Sequence, residues 1–139
     1  MIMFEYHGKV IDAHLHYGAD PAIAEQLIMS EMAYDNPDSV IKALDKYNIQ
    51  QCLLLTPDRI LNPPRDVDYK EANEIVARAV EKYPKRIVGA MRLNPLFGEE
   101  FIWENIRYYS EEKGFRAIKM LARVDFYNPA SLKVMAPVY

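Results

Sequence analysis

Two histidines separated by a single residue, His14 and His16, are the side chains of this sequence whose type and spacing carry the most chemistry. They close the stretch Lys9 to His16, in which Val10, Asp12, His14 and His16 alternate with Ile11, Ala13 and Leu15. A period of two marks a β-strand, and Gly18 punctuates its end. Residues i and i+2 of a strand leave the same face, with Cβ atoms about 6.5–7 Å apart at a rise near 3.3 Å per residue. From there two imidazole nitrogens can converge on one ion at roughly 2.0–2.1 Å, the usual Zn–N distance. The competing reading is a core histidine, His14, satisfied by Asp12, with His16 in an exposed loop. Placement at the carboxyl end of a first strand favours metal ligation, because parallel α/β folds gather their sites there.

The elements that must position this pair follow from patterning. Asp20-Pro21 has the form of a helix start and predicts a helix to about Ala33. A second helix follows Asn36-Pro37-Asp38, with Val40, Ile41, Leu44 and Tyr47 at helical spacing. Gln51 to Thr56 is a short apolar run ending at Pro57, as expected of a strand covered on both faces. Asp68 to Tyr83 is the clearest helix: Asp68 and Glu71 resemble a capping box, Tyr69, Ala72, Val76, Ala79 and Tyr83 form one stripe, and Pro84 stops it. Arg86 to Leu93 is a further buried strand. Glu99 to Lys113 is helical, with Ile102, Ile106 and Tyr109 inward and Gly114 as its cap. Phe115 to Leu121 is the next strand, and Asn128-Pro129 opens a last helix carrying Leu132 and Met135.

Strand and helix thus alternate four times, which argues for an α/β fold with a parallel sheet and right-handed crossovers. An open doubly wound sheet and part of a closed barrel both satisfy the pattern. His16-Tyr17-Gly18-Ala19 offers neither Gly-x-Gly-x-x-Gly nor Gly-Lys-Ser/Thr at the first turn, so dinucleotide and P-loop readings fail.

Composition narrows the partners. A net charge of −3 over 139 residues, with Lys and Glu interspersed, provides no basic stripe for nucleic acid. No run approaches the roughly 18–20 apolar residues that span a bilayer. Met1 to Lys9 carries Glu5 and lacks the apolar core of a signal peptide. The single cysteine, Cys52, sits in an apolar run and reads as a small buried hydrophobe, which suits a reducing, cytoplasmic setting.

Val10-Ile11-Asp12-Ala13-His14-Leu15-His16 resembles the opening strand of the amidohydrolase superfamily, specifically its amidohydrolase-2 branch of metal-dependent hydrolases, lactonases and decarboxylases. Glu71-Ala72-Asn73-Glu74, Tyr83 to Gly89 with Asn94-Pro95, and Gly114 to Met120 fit the same family in order and spacing. The resemblance implies that His14 and His16 ligate zinc or a similar divalent ion, which lowers the pKa of a bound water toward about 7 for attack on a C–N or C–O bond. Decarboxylation of an aromatic or unsaturated acid is the alternative on the same framework. Thr56, Arg92, Asn94 and Lys119 follow or end later strands and are candidate substrate-binding residues, Arg92 as a bidentate partner of a carboxylate. The implied substrate is a small molecule, a carboxylic acid or lactone.

A complete (β/α)8 barrel takes eight strands and about 250 residues, whereas residues 1–139 read as a single partial domain with four strands, truncated before strand five. The family's remaining ligands and its general base lie on strands five, six and eight, and the only other histidine, His7, precedes strand one. The catalytic base is therefore outside this sequence. Exposed sheet edges at strands one and four imply a fragment of a longer chain, pairing with a C-terminal half, or a homo-oligomer in which two half-barrels close on each other. A non-catalytic interaction module is the remaining class.

Overall fold

A computed structural model of the chain describes residues 8–17, 37–55 and 68–139. The expected Asp20–Ala33 helix and Thr56 lie outside the described residues. Four strands form one sheet: β1 (Ile11–His16), β2 (Gln51–Leu55), β3 (Ile87–Arg92) and β4 (Ala117–Lys119). All neighbouring pairs are parallel and the spatial order is β1-β2-β3-β4. Each crossover therefore steps the same way. A doubly wound sheet reverses at a switch point, whereas a barrel does not. The sheet is the first half of a (β/α)8 barrel.

Helices α1 (Pro37–Lys46), α2 (Lys70–Lys82) and α3 (Glu99–Arg107) cover one face. Val40 and Leu44 of α1, Val76, Ala79 and Val80 of α2, and Ile102 of α3 meet Cys52, Leu54, Ile87 and Met91 from the strands. Each fully buried aliphatic side chain here stabilises the fold by about 1.5–3 kcal/mol relative to exposure. Burial also pushes the Cys52 thiol up to about 12, so it behaves as packing rather than as a nucleophile.

Local details depart from sequence expectation. The α2 start is not a capping box. Asp68 accepts the Lys70 N–H at 3.2 Å, and Tyr69, at φ 60°, takes the cap position without a side-chain cap. The helix after Gly98 changes at Tyr108–Glu112 into a wider π-turn. That turn lets Tyr109 stay buried and pack on Phe115, with ring centroids 5.1 Å apart. The fourth strand is three residues long rather than seven, and a short helix, α4 (Ala122–Asp125), follows it. The last helix, α5 (Leu132–Met135), buries Met135 but leaves Leu132 exposed. Tyr47 lies beyond the end of α1 and is exposed.

The strict alternation expected of β1 is also broken. Asp12 pairs with Cys52, but Leu15 pairs with Leu54, so three steps on β1 face two on β2. This is a β-bulge, and the released His14 N–H is taken by the Asp12 carboxylate at 2.9 Å. The bulge switches parity. Asp12 and Leu15 go with the helix-facing residues Cys52 and Leu54, and His14 and His16 go with Leu53 and Leu55 on the opposite, lumen face.

Gly89 is helix-facing, and a Cβ there would lie 2.6 Å from the Phe115 ring. Gly89→Ala should therefore cost about 1–3 kcal/mol through overpacking. Urea denaturation checks this, and adding Phe115→Leu should restore part of the loss; an unchanged midpoint for the single variant refutes the packing account.

Candidate metal centre

The bulge delivers both imidazoles to one place. The Nε2 atoms of His14 and His16 are 3.0 Å apart, with ring centroids separated by 4.8 Å and planes inclined at 58°. His14 is exposed and His16 partly so, at the carboxyl end of β1. This is not a core histidine satisfied by Asp12, whose carboxylate is instead on the His14 backbone. Two nitrogens each roughly 2.0–2.1 Å from one ion stand about 3 Å apart when they subtend about 90°, and about 3.3 Å apart at a tetrahedral angle. The observed spacing fits two adjacent ligands of one cation. The same spacing is also that of an N–H···N hydrogen bond with one ring as donor. Among the described residues no third His, Cys, Asp or Glu joins them. Catalytic zinc sites usually have three protein ligands, so this pair by itself falls short of one.

The register assigns the other candidates. Val88, Ala90 and Arg92 of β3, with Ala117 and Lys119 of β4, share the lumen face with Leu53. Arg92 and Lys119 pair across the two strands and both sit at their carboxyl ends, with Lys119 half-buried. Asn94 caps the following turn, Pro95–Phe97, by accepting the Leu96 N–H at 3.1 Å, and is buried.

Arg92, the candidate carboxylate partner, is wholly buried. Its exposure is 0%, its guanidinium lies 4.5 Å from the centroid of the Tyr69 ring, and Nη2 donates to Tyr69 Oη at 3.1 Å. Tyr69 in turn donates to Asp125 Oδ1 at 2.5 Å, and Asp125 is buried. Asn73 of α2 holds the backbone of the same arginine at both ends, accepting the Arg92 N–H at 2.8 Å and donating to its carbonyl at 3.0 Å. The amide group of Asn73 thus acts as one more strand residue beside β3. Sequence reasoning missed Tyr69 and Asp125 as members of this cluster. Tyr69 looked like a core stripe residue, and Asp125 fell in a segment without a pattern. Burial raises the Tyr69 phenol to about 12, reinforced by the hydrogen bond to Asp125 and opposed by the Arg92 charge. Tyr69 at φ 60° and Phe126 at φ 58° both hold a left-handed backbone. Such conformations cost about 1–3 kcal/mol each in non-glycine residues. Both flank the Tyr69–Asp125 contact.

No family model matches the sequence, and no curated protein matches it. Solved structures do. The chain is similar to 5-carboxyvanillate decarboxylase from Novosphingobium aromaticivorans, complexed with manganese and 4-hydroxy-3-methoxy-5-nitrobenzoic acid, with TM-score 0.64 and 18% identity, over 94% of this chain and 46% of that one. It is similar to 4-oxalomesaconate hydratase from Rhodopseudomonas palustris, with TM-score 0.59 and 20% identity, over 94% and 48%. A probable 2-pyrone-4,6-dicarboxylic acid hydrolase from Acinetobacter baumannii gives TM-score 0.55 and 19% identity, over 94% and 46%. The chain spans less than half the length of these structures and has the fold of that part of them.

The Tyr69 shift sets an alkaline signature. A phenol whose folded pKa is raised from 10.0 to about 12 contributes stability that is complete below pH 10.0 and lost as pH climbs through about 12. Tyr69→Phe should therefore flatten the decline of stability across that window, measured as urea midpoints against pH. Parallel declines in the two proteins would show that the phenol makes no such bond.

Proposed function

We propose that this chain supplies the first-strand half of the metal site of an amidohydrolase-type enzyme acting on a small carboxylic acid or lactone. The single observation that carries the reading is the 3.0 Å approach of the His14 and His16 Nε2 atoms. The sequence resemblance around that pair and the likeness of the fold to three such enzymes support it. His14 and His16 would hold the ion, with the Asp12-braced bulge fixing their common direction. A divalent ion in such a site acidifies a water and polarises a carbonyl or carboxylate oxygen. The proposed ion is divalent, zinc or manganese; a bite near a right angle favours an octahedral ion such as manganese over tetrahedral zinc. Lys119, on the same face, would add positive charge toward an anionic substrate. Thr56, which follows β2, remains a candidate for the same mouth.

The proposed reaction is hydrolysis by metal-activated water. A decarboxylase is the second reading, favoured by the decarboxylase likeness with its manganese and nitrobenzoic acid. Either requires the missing ligands and the general base from strands five to eight. We place them on a C-terminal half, encoded in the same or a separate polypeptide, or on a second copy of this chain related by a two-fold axis along the barrel. In that dimer the partner's first strand takes the fifth position and both histidine pairs face one lumen. Cytoplasmic residence belongs to the same proposal. Among the described residues no helix is long and apolar enough to cross a membrane.

Calorimetric titration with Mn²⁺ and Zn²⁺ tests the metal reading. His14→Ala and His16→Ala should each weaken binding by at least about tenfold, and the double variant should bind no ion at this site. Affinity unchanged in the double variant overturns the reading. Product analysis with lactones and aromatic carboxylic acids, in the presence of a complementing half, separates hydrolysis from decarboxylation.

A further inference from the structure

The Arg92 cluster joins three loops at the carboxyl ends of the strands. Arg92 ends β3, Tyr69 ends the β2–α2 connection, and Asp125 ends α4 after β4. Arg92 faces the same lumen as the histidine pair, and odd-numbered strands of a barrel contribute side chains to a common layer. A wholly buried guanidinium needs an anion near it to offset lost hydration. Here that anion comes from the chain itself: the Asp125 carboxylate, reached through the Tyr69 hydroxyl.

The contact holds strained backbone on both sides. Of the three non-glycine residues with positive φ among the described residues, two are Tyr69 and the neighbour of Asp125, Phe126. The Phe126 side chain is 86% exposed, so no packing of its own ring holds that conformation. The segment 122–127 is short: the Val124 and Asp125 N–H groups bond the Leu121 carbonyl, and the Phe126 and Tyr127 N–H groups bond the Ala122 carbonyl. It closes over the arginine by means of a carboxylate.

We propose that Arg92 and Tyr69 form a binding site for a small carboxylate ligand, and that Asp125 is its built-in occupant. An incoming carboxylate accepts the Tyr69 hydroxyl and pairs with the guanidinium, whose two-pronged donor geometry matches it. Asp125 is released and segment 122–127 swings outward, relaxing the left-handed residues. Exchange of one carboxylate for another keeps the buried positive charge neutralised throughout, which is why a carboxylate is selected over a neutral group of the same shape. The proposal rests on the reading of these strand ends as the substrate face, but it does not require the metal.

The test uses the chelator-treated protein, with benzoate as the probe and benzamide as its neutral counterpart. Titration calorimetry should show benzoate binding at least tenfold tighter to Asp125→Asn than to wild type, because the internal competitor has lost its charge, and no binding to Arg92→Met. In the wild-type protein, saturating benzoate should speed hydrogen exchange at the Asp125 and Tyr127 amides, and benzamide should not; this readout needs no variant to fold. His14→Ala/His16→Ala should behave as wild type toward benzoate, so a failed metal site and a failed carboxylate site give different results. Equal benzoate affinity of Asp125→Asn and wild type, absence of binding in both, or unchanged exchange at saturation overturns the proposal.

Discussion

The candidate site depends on one local irregularity, the bulge between Asp12 and Leu15, closed by the Asp12 carboxylate on the His14 N–H. In a regular strand Asp12, His14 and His16 would share a face. Because side-chain direction has period two, one extra residue exchanges the faces for everything beyond it. The bulge keeps Leu15 and Tyr17 in the core while turning both imidazoles into the lumen. A carboxylate acceptor is well chosen for this position. It satisfies an amide the ladder has released.

A second device works two strands away, where β3 ends. Asn73 pairs with both backbone groups of Arg92, so α2 fixes the place where β3 ends and the arginine side chain begins its course. Tyr69, one residue before α2, then meets that side chain with its ring face and hydroxyl. The same helix therefore sets the backbone and the guanidinium of one residue. This coupling explains why a charged side chain can be wholly buried here without disrupting the sheet. The charge stands among oriented partners rather than in an apolar interior.

The two devices lie on one face and at one end of the sheet, and the sheet is singly wound. A closed barrel gathers such strand ends around a common axis. The described half brings a pair of histidines, a lysine and an internally braced arginine toward that axis. Among the described residues β1 and β4 are the two edges of the sheet.

The sequence by itself determined the alternation of strands and helices, the parallel sheet, the buried Cys52 and the proximity of His14 to His16. These follow from periodicity, breakers and short-range geometry, which act between residues close in the chain. The capping box at Asp68 and the seven-residue fourth strand were expected from the same signals and were not found. At the start of α2 a contact distant in sequence prevails: Tyr69 is drawn from helix geometry toward Arg92 and Asp125, 23 and 56 residues away. Only the tertiary structure decided that β1 is bulged, because the bulge is defined by register against β2. Only it revealed the Tyr69–Arg92–Asp125 chain, because no local pattern encodes a hydrogen bond among three loops that meet solely when the sheet has formed.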